Sequence, residues 1–348
     1  VFSASIEYPF SLFSCYYMSP PLKNIMTKLL YSKKWENVKT MHGVERILRS
    51  GRGYVFRMPP PGKPVILLLS GGLDSIISWA ILLKKYQLKV YPIFLIRGRR
   101  REEKREENAI DYYATMYKQK YAATYIPPHK LTISMLEFSD PYKDLIGYLH
   151  PQVIVDNLLP DGSLKTSFSL GHFSLFPYIG FLYAKFLHAR KNIDAKTIFC
   201  GTTYSDSSSY RSLTSARSIT LTLGLLSGED NWQYTSVAYE PTIRSLLTKS
   251  DLIRWASAEQ IPLDRAWTCT QRKQLQCGEC LACLSRKYAF REAGIADTTS
   301  YRSTAQSFVV SMIKRIIIRL KRFKKPQKTL KKSKRYEGPS KSKVYLSV

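Results

Sequence analysis

Residues 65–75 read VILLLSGGLDS, and this stretch decides the fold class. Its five leading apolar residues show no alternation, which is typical of a strand buried on both faces. Apolar residues then recur at helical spacing, and Gly71 and Gly72 lie at the joint, where glycine permits positive φ and close approach of a ligand. Because the first N–H groups of a helix are unpartnered and partly positive, the stretch predicts an anion cradle between a strand and a helix.

Asp74 and Ser75 make this turn more specific than a glycine pair that merely joins a strand to a helix. They add a carboxylate and a hydroxyl in the first helical turn, and no Lys follows the glycines as it does in a Walker loop. The stretch resembles the pyrophosphate-binding loop of the PP-loop ATPases, which split ATP between its α and β phosphates and adenylate an acceptor oxygen. The resemblance implies ATP and Mg²⁺ as cofactors, with Asp74 and Ser75 as the catalytic pair. It assigns ATP and pyrophosphate binding to Ser70, Gly71, Gly72, Leu73, Asp74 and Ser75.

The rest of the central region alternates strand and helix patterns, which predicts βαβ units and a parallel sheet. We therefore expect an α/β, Rossmann-like PP-loop ATPase domain over residues 64–300, with a zinc knuckle near its C-terminal end. Ligands of such sheets bind at the carboxyl ends of the strands, where SGGLDS lies. Strands are predicted at 65–69, 89–96, 131–136, 196–201 and 235–239, and helices at 101–120, 173–190, 213–226 and 250–260.

The chain of 348 residues carries a formal net charge of +28. Fourteen Lys or Arg residues and one acidic residue lie between Lys314 and the C-terminus, and the remainder of the chain is still basic. This balance favours a polyanionic partner, such as a nucleic acid or an anionic membrane surface. The alternative is a tail that only increases solubility.

The two ends are predicted to lie outside the ATPase domain. Residues 1–63 form an N-terminal extension, whose first residues lack the basic start and clean apolar run of a signal peptide, so we expect a cytoplasmic protein. Residues 301–325 predict a basic amphipathic helix, which either packs on the domain or docks on a membrane surface or nucleic acid. Residues 326–348 predict a disordered basic tail.

Four of the six cysteines lie within fifteen residues, spaced C-x7-C-x2-C-x2-C. Four thiolates on one knuckle suit tetrahedral Zn²⁺ with no open position, which is a structural rather than catalytic site. A redox pair and disulfides are the alternatives. Cys200 ends an apolar strand and is interpreted as a small buried hydrophobic residue. The predicted zinc ligands are Cys269, Cys277, Cys280 and Cys283.

Taken together, SGGLDS and the knuckle resemble the 7-cyano-7-deazaguanine synthase family over residues 64–300. The family performs two ATP-dependent steps, in which a carboxylate and then the resulting amide are adenylated and ammonia supplies the nitrogen. The resemblance implies 7-carboxy-7-deazaguanine and ammonia as partners, with queuosine biosynthesis as the context and a homodimer as a possible assembly. The match is closest over residues 240–297 and includes Pro241, Lys249, Trp267, Arg286, Gly294 and Asp297.

The middle of the chain departs from the family pattern. Residues 97–101 read RGRRR, where the family has a YGQRH-like segment. Only Gly98 and Arg100 of that segment are kept, and we add these two residues to the predicted nucleotide-binding set. These arginines are also compatible with the start of a solvated helix paired with nearby glutamates. The later Asp-Cys of the family's base-pocket segment is missing. By their positions in the resemblance, the residues assigned to the substrate pocket are His172, Gly201, Asp206, Tyr210 and Lys249.

Two other interpretations remain open. One is a divergent paralogue that adenylates a different acceptor, such as a protein- or nucleic-acid-linked deazaguanine in a defence system, or a PP-loop enzyme that modifies tRNA. The other is a binding scaffold whose chemistry has decayed, although the intact SGGLDS argues against decay.

Overall fold

The computed structural model describes residues 36–96, 100–132, 170–206, 211–271 and 274–302. The predicted amphipathic helix and tail lie outside these residues beyond Arg302, as does the extension before residue 36. Chain contacts divide the protein into the units Val1–Tyr301 and Arg302–Val348, and every element described below belongs to the first. Within the described residues, no helix is long and apolar enough to cross a membrane.

Five parallel strands form the central sheet in the order β3-β2-β1-β4-β5, which confirms the predicted α/β fold. The apolar run of residues 65–69 forms the middle strand, and Val65, Ile66 and Leu67 are fully buried between helices on both faces. The strands are β1 (Pro64–Leu69), β2 (Lys89–Ile96), β3 (His129–Thr132), β4 (Thr197–Phe199) and β5 (Gln233–Thr235).

Helices follow the strands as the alternating pattern predicts. Helix α1 precedes the sheet, α2 follows β1, α3 follows β2, α4 and α5 flank β4, and α6 and α7 close the domain. They span α1 (Val38–Arg52), α2 (Leu73–Lys84), α3 (Arg100–Lys120), α4 (Leu170–Lys191), α5 (Leu213–Ser227), α6 (Lys249–Ala258) and α7 (Leu281–Ala293).

Three strands differ in position from their predictions, and β4 is shorter than the predicted 196–201. Strand β3 begins two residues earlier than expected, and residues 133–136 lie outside the described part. Strand β5 ends at Thr235 rather than 239, because Ser236 starts a turn in which Tyr239 donates its N–H to the Ser236 carbonyl. A short antiparallel ribbon then follows, formed by β6 (Tyr239–Glu240) and β7 (Ser245–Leu246).

Part of the predicted N-terminal extension packs on the domain. Helix α1 lies against α5, and Met41 is buried with Leu213 and Tyr239. The Glu36 carboxylate accepts the backbone N–H groups of Leu213 and Thr214 at 2.8 and 2.9 Å, so it caps the start of α5. Residues from 36 onward are thus tied to the helix that follows the loop after β4.

A buried ion pair between Arg217 and Glu240 lies beside the contact of α1 with α5. Arg217 of α5 is 1% exposed and donates two parallel hydrogen bonds to Glu240 at 2.7 and 2.8 Å. It also donates to Glu45 of α1 at 3.2 Å. Burial alone would raise the pKa of Glu240, but the Arg217 cation and its hydrogen bonds lower it below its ordinary value.

Candidate active site and metal centre

The glycine turn after β1 adopts a conformation that requires glycine. Gly71 has a φ of +67°, and a Cβ there would lie 2.4 Å from the carbonyl oxygen of Glu106 in α3. Gly72 precedes α2 in an extended conformation, and Leu73 is the first residue of that helix. The backbone between β1 and α2 is therefore packed directly against α3, leaving no room for any side chain at Gly71.

Two serine hydroxyls fix the shape of this turn. The Ser70 and Ser75 Oγ atoms lie 3.0 Å apart, and Ser75 Oγ donates to the Gly72 carbonyl at 3.0 Å. The Gly72 N–H in turn donates to Ser70 Oγ at 3.3 Å. These bonds close the turn at the N-terminus of α2 and hold its shape before any ligand is bound.

Asp74 lies in the first turn of α2 and forms an ion pair with Lys249. Lys249 Nζ donates to Asp74 Oδ2 at 2.7 Å, and the two side chains are only 18% and 16% exposed. Burial raises the pKa of Asp74, while the Asp74 carboxylate raises the pKa of Lys249 against its own burial. The second carboxylate oxygen, Asp74 Oδ1, is buried and accepts no hydrogen bond within the described residues.

The position of Lys249 follows from the start of α6. Thr248 caps that helix in a reciprocal capping box with Asp251, which places Lys249 at the first helical position. Because α6 packs against α2, the Lys249 side chain reaches the first turn of α2 across the domain. Lys249 thus contacts Asp74, two residues after the glycine pair.

The loop after β4 supplies a second charged pair at the same edge of the sheet. Arg211 donates to Asp206 Oδ1 at 2.8 Å, and Asp206 Oδ2 accepts the N–H of Thr203 at 2.7 Å. Gly201 lies directly against α2, since a Cβ there would be 2.9 Å from the backbone nitrogen of Ser75. These contacts bring the β4 loop to the carboxyl end of β1.

A cavity of about 170 Å³ opens between these elements. Cys200 is half-buried and lines it, which corrects the interpretation of this residue as a small buried hydrophobic one. Its thiol lies 3.3 Å from the Thr202 hydroxyl, because the strand ends at Phe199 and the chain turns toward the site. The lining consists of Leu68, Leu69, Ser70, Gly72, Asp74, Ser75, Phe176, Cys200, Gly201, Thr202, Arg211 and Tyr234.

Some predicted site residues are not described at side-chain level. Gly98 and Tyr210 lie outside the described residues, while Arg100 and His172 lie on α3 and α4 with only their backbone described. The structure brings together the glycine turn, Gly201, Asp206 and Lys249. Arg211, Cys200, Phe176 and Tyr234 were missed, because nothing in their local sequence shows that separate strands deliver them to one cavity.

The four clustered cysteines form a candidate metal centre. Their four Sγ atoms all lie within 4.8 Å of one another, and they belong to Cys269, Cys277, Cys280 and Cys283. A tetrahedral metal with bonds of about 2.3 Å to sulfur places its ligands roughly 3.8 Å apart, so the cluster fits with little contraction. Backbone N–H groups point at the sulfurs, including that of Cys280 at 3.2 Å from Cys277 Sγ.

A buried arginine braces the knuckle. Arg286 of α7 is fully buried and donates to the carbonyl oxygens of Leu263 and Ala266 at 2.7 and 2.9 Å. Its guanidinium also lies 3.4 Å from the Asp297 carboxylate, which accepts the Tyr301 hydroxyl at 2.6 Å. Arg286 thus connects the residues before the first cysteine with those after α7.

Comparison with known proteins relates this chain to a defined family. The family model described as "Queuosine biosynthesis protein QueC" matches residues 64–294. The 7-cyano-7-deazaguanine synthase of Thermoplasma acidophilum is 28% identical over 247 residues, covering 69% of this chain and 92% of the relative. That of Campylobacter jejuni subsp. doylei is 25% identical over 248 residues, covering 69% and 99%.

Similarity to solved structures is weaker. The U34-tRNA thiolase NcsA of Methanococcus maripaludis, solved with its 4Fe–4S cluster, is 11% identical with a TM-score of 0.31. The match covers 72% of this chain and 70% of that one.

Proposed function

The chain belongs to the family of queuosine biosynthesis protein QueC, and on that premise we propose that it is an ATP-dependent 7-cyano-7-deazaguanine synthase. ATP first adenylates the carboxylate of 7-carboxy-7-deazaguanine and releases pyrophosphate, and ammonia then displaces AMP to give the amide. A second ATP adenylates the amide oxygen. Loss of AMP and two protons then leaves the nitrile. The observation that carries this proposal is the glycine turn at the mouth of one cavity, with Asp74 beside it and paired to Lys249.

The glycine turn would bind the leaving pyrophosphate. Gly72 brings the main chain to the cavity without a side chain, and the N-terminus of α2 favours negative charge there. Lys249 supplies a cation beside the first turn of α2, where it is paired with Asp74 and would also attract the leaving pyrophosphate. Ser70 and Ser75 maintain the turn through their hydroxyl bonds rather than acting as bases.

Asp74 is the residue that would hold Mg²⁺. Its Oδ1 is a buried carboxylate oxygen without a hydrogen-bond partner among the described residues, which fits a hard cation that prefers oxygen ligands. When bound, the metal would neutralise charge on the phosphates of ATP. Burial raises the pKa of Asp74, and the ion pair with Lys249 opposes this rise and fixes the other carboxylate oxygen, Oδ2.

The four-cysteine cluster would hold Zn²⁺ in a structural role. All four positions are filled by sulfur, which leaves no open coordination site for a substrate. Its ligands also lie outside the lining of the nucleotide cavity. The proposed consequence of metal binding is stability of the loop that precedes α7.

The direct test is turnover of the free base. Purified protein is incubated with ATP, Mg²⁺, ammonium and 7-carboxy-7-deazaguanine, and AMP, pyrophosphate and the nitrile are measured. We expect two AMP per nitrile, and loss of all three products in Asp74→Asn. If the wild-type protein forms neither AMP nor nitrile in the presence of Mg²⁺, the proposal is contradicted.

A second candidate keeps adenylation but changes the acceptor. The net charge of +28 and the missing Asp-Cys of the base-pocket segment favour a larger, anionic acceptor, such as tRNA or another macromolecule that carries a deazaguanine. ATP–pyrophosphate exchange stimulated by a nucleic acid fraction, without nitrile formation from the free base, would support this candidate over the first.

A further inference from the structure

A second, larger cavity lies at the opposite end of the sheet from the glycine turn. It encloses about 520 Å³ and is formed where β1, β2, β4 and β5 begin. Ligands of parallel sheets ordinarily bind at the carboxyl ends of the strands, so the proposed synthase reaction makes no use of this edge. The residues before β1, which sequence patterning assigns to the extension, form one of its walls.

The charges around this cavity are unbalanced. Four cations line it, with one carboxylate, Asp194. Lys196 pairs with Asp194 at 3.4 Å and also with Glu229. Within the described part of the chain, no carboxylate pairs with the other three cations, which are solvent-exposed. These are Arg57, Lys63 and Lys89.

Backbone hydrogen bonds hold two of these cations next to each other. Lys63 and Lys89 lie at the starts of the neighbouring strands β1 and β2, and the Lys89 N–H donates to the Lys63 carbonyl at 3.0 Å. The Lys63 N–H donates to the Pro60 carbonyl at 3.2 Å, which closes the turn before β1. The two ammonium groups therefore extend from a fixed base and can approach one anionic group together.

The third cation is fixed by a buried amide. Gln233 is 5% exposed, and its side chain accepts the Arg57 N–H at 2.7 Å and donates to the Arg57 carbonyl at 2.9 Å. The guanidinium groups of Arg57 and Arg52 lie 4.5 and 4.6 Å from the centre of the Tyr54 ring, so this ring holds Arg57 in place. Tyr91, on β2, adds a second half-buried ring to the same lining. Cations and aromatic rings thus alternate around one cavity.

We propose that this cavity binds a nucleotide unit of a single-stranded nucleic acid. Lys63, Lys89 and Arg57 would contact phosphate, and the Tyr91 ring would stack against a base. This combination of a basic groove and aromatic platforms is how proteins bind single strands without reading sequence. A polymer is favoured over a free nucleotide, because the chain remains strongly basic outside this cavity and can contact further phosphates.

The test uses the full-length protein and a fluorescein-labelled dT12 oligonucleotide. Binding is followed by anisotropy between 50 and 200 mM NaCl for the wild type and for Lys63→Ala/Lys89→Ala. We expect the double variant to bind at least about tenfold more weakly and to lose roughly 1.4 from the slope of log K against log salt, at about 0.7 per phosphate contact.

A matched control separates this site from general charge. Lys39→Ala/Lys118→Ala removes two exposed lysines from α1 and α3, outside the cavity lining, and should change the affinity less than twofold. Both double variants should retain the wild-type melting temperature. They should also retain wild-type ATP–pyrophosphate exchange, because neither touches the glycine turn, so failure here is distinguishable from failure of the synthase proposal.

Three results would overturn the inference. The first is an equal loss of affinity in both double variants, which would show a diffuse charge effect. The second is 5′-UMP competing as well as dT12 per nucleotide, which would show a mononucleotide site. The third is photocrosslinking of a 5-iododeoxyuridine oligonucleotide only to peptides beyond Arg302, whereas the proposal expects crosslinks to Tyr91.

Discussion

The backbone N–H of Trp267 donates a hydrogen bond to the carbonyl oxygen of Gly71 at 2.9 Å. Trp267 lies two residues before Cys269, the first cysteine of the metal centre, and Gly71 belongs to the glycine turn. A Cβ on Gly72 would also lie 3.7 Å from the Trp267 carbonyl. The knuckle and the proposed pyrophosphate site are therefore joined through main-chain atoms, which allows the state of one to affect the other.

Removal of the metal should weaken nucleotide binding as well as stability. Without it, four clustered thiols lose the bond network that fixes the loop, and Trp267 loses its fixed position behind Gly71. We expect Cys277→Ser to abolish zinc in elemental analysis and to lower the melting temperature by about 10 °C, which corresponds to roughly 3 kcal/mol for a domain of this size.

The matched control is Cys200→Ser, since Cys200 lies outside the four-cysteine cluster. It should keep full metal content and a melting temperature close to that of the wild type. Titration with ATP should show a larger dissociation constant for Cys277→Ser than for the wild type. Unchanged ATP affinity in a metal-free but folded sample would show that the Trp267–Gly71 contact transmits nothing.

The second prediction concerns the close contact at Gly71. Gly71→Ala places a methyl group 2.4 Å from the Glu106 carbonyl oxygen, in addition to the strain of a φ of +67°. Gly228→Ala is the matched control, because its φ is +69° and nothing lies within 4 Å of its Cβ position. The conformational strain alone costs about 1 kcal/mol, so Gly228→Ala should lose about that much.

Gly71→Ala should lose clearly more stability and also its ATP binding, because the turn must move away from α3. Chemical denaturation measures the first effect and calorimetric titration with ATP the second. Equal destabilisation of the two variants, with ATP binding intact, would mean that the Glu106 backbone yields and that the contact does not shape the site.

Much of the fold could be predicted because its signals are local. An unalternating apolar run, a glycine pair and a helical repeat each act within a few residues, and they located β1, α2 and most of the later elements. The cysteine spacing likewise predicted the cluster that the structure forms. The antiparallel ribbon of β6 and β7 was not predicted, because each of its strands has only two residues. Helix α7 was not predicted either.

The site was harder to predict because its contacts span long distances in the chain. Lys249 was predicted from resemblance alone, and its partner Asp74 lies 175 residues earlier. No local pattern shows that Cys200 faces a cavity or that Glu36 caps α5. These contacts depend on how separate helices pack, which a single sequence does not display.

The third prediction concerns the Asp74–Lys249 pair. Burial raises the pKa of Asp74, and the Lys249 cation counteracts this. In Lys249→Met the pKa of Asp74 should rise further, so the pH at which ATP–pyrophosphate exchange is half lost on acidification should move upward. The unpaired buried carboxylate should also cost about 3 kcal/mol of unfolding free energy.

Two variants check this interpretation. Lys104→Met removes an exposed partner of Glu107 and should cost less than about 0.5 kcal/mol, without moving the pH profile. The double variant Lys249→Met/Asp74→Asn should regain part of the lost stability, because no buried charge remains. An unmoved pH profile in Lys249→Met would show that Asp74 does not control the acid limb.

The last prediction concerns acid and the attachment of α1. Burial raises the pKa of Glu36, but hydrogen bonds from Thr214, Tyr239 and Leu213 outweigh it, so the folded pKa lies below the ordinary 4.5. A depressed carboxyl pKa contributes stability above its unfolded value, and this contribution disappears as pH falls through the folded value. Glu36→Gln should therefore lower the melting temperature at pH 7. The loss in free energy of unfolding should be about 1.5 kcal/mol, because the hydrogen bonds to a charged, half-buried carboxylate are weakened.

The difference between Glu36→Gln and the wild type should shrink steadily below pH 4.5 as the wild-type carboxylate is protonated. The matched control is Asp111→Asn, which removes an exposed partner of Lys130. It should change the free energy of unfolding by less than about 0.5 kcal/mol at any pH. Thermal unfolding between pH 7 and pH 3.5 measures all three proteins. A gap between Glu36→Gln and the wild type that stays constant across this range would mean that shape, rather than charge, makes Glu36 an anchor for α5.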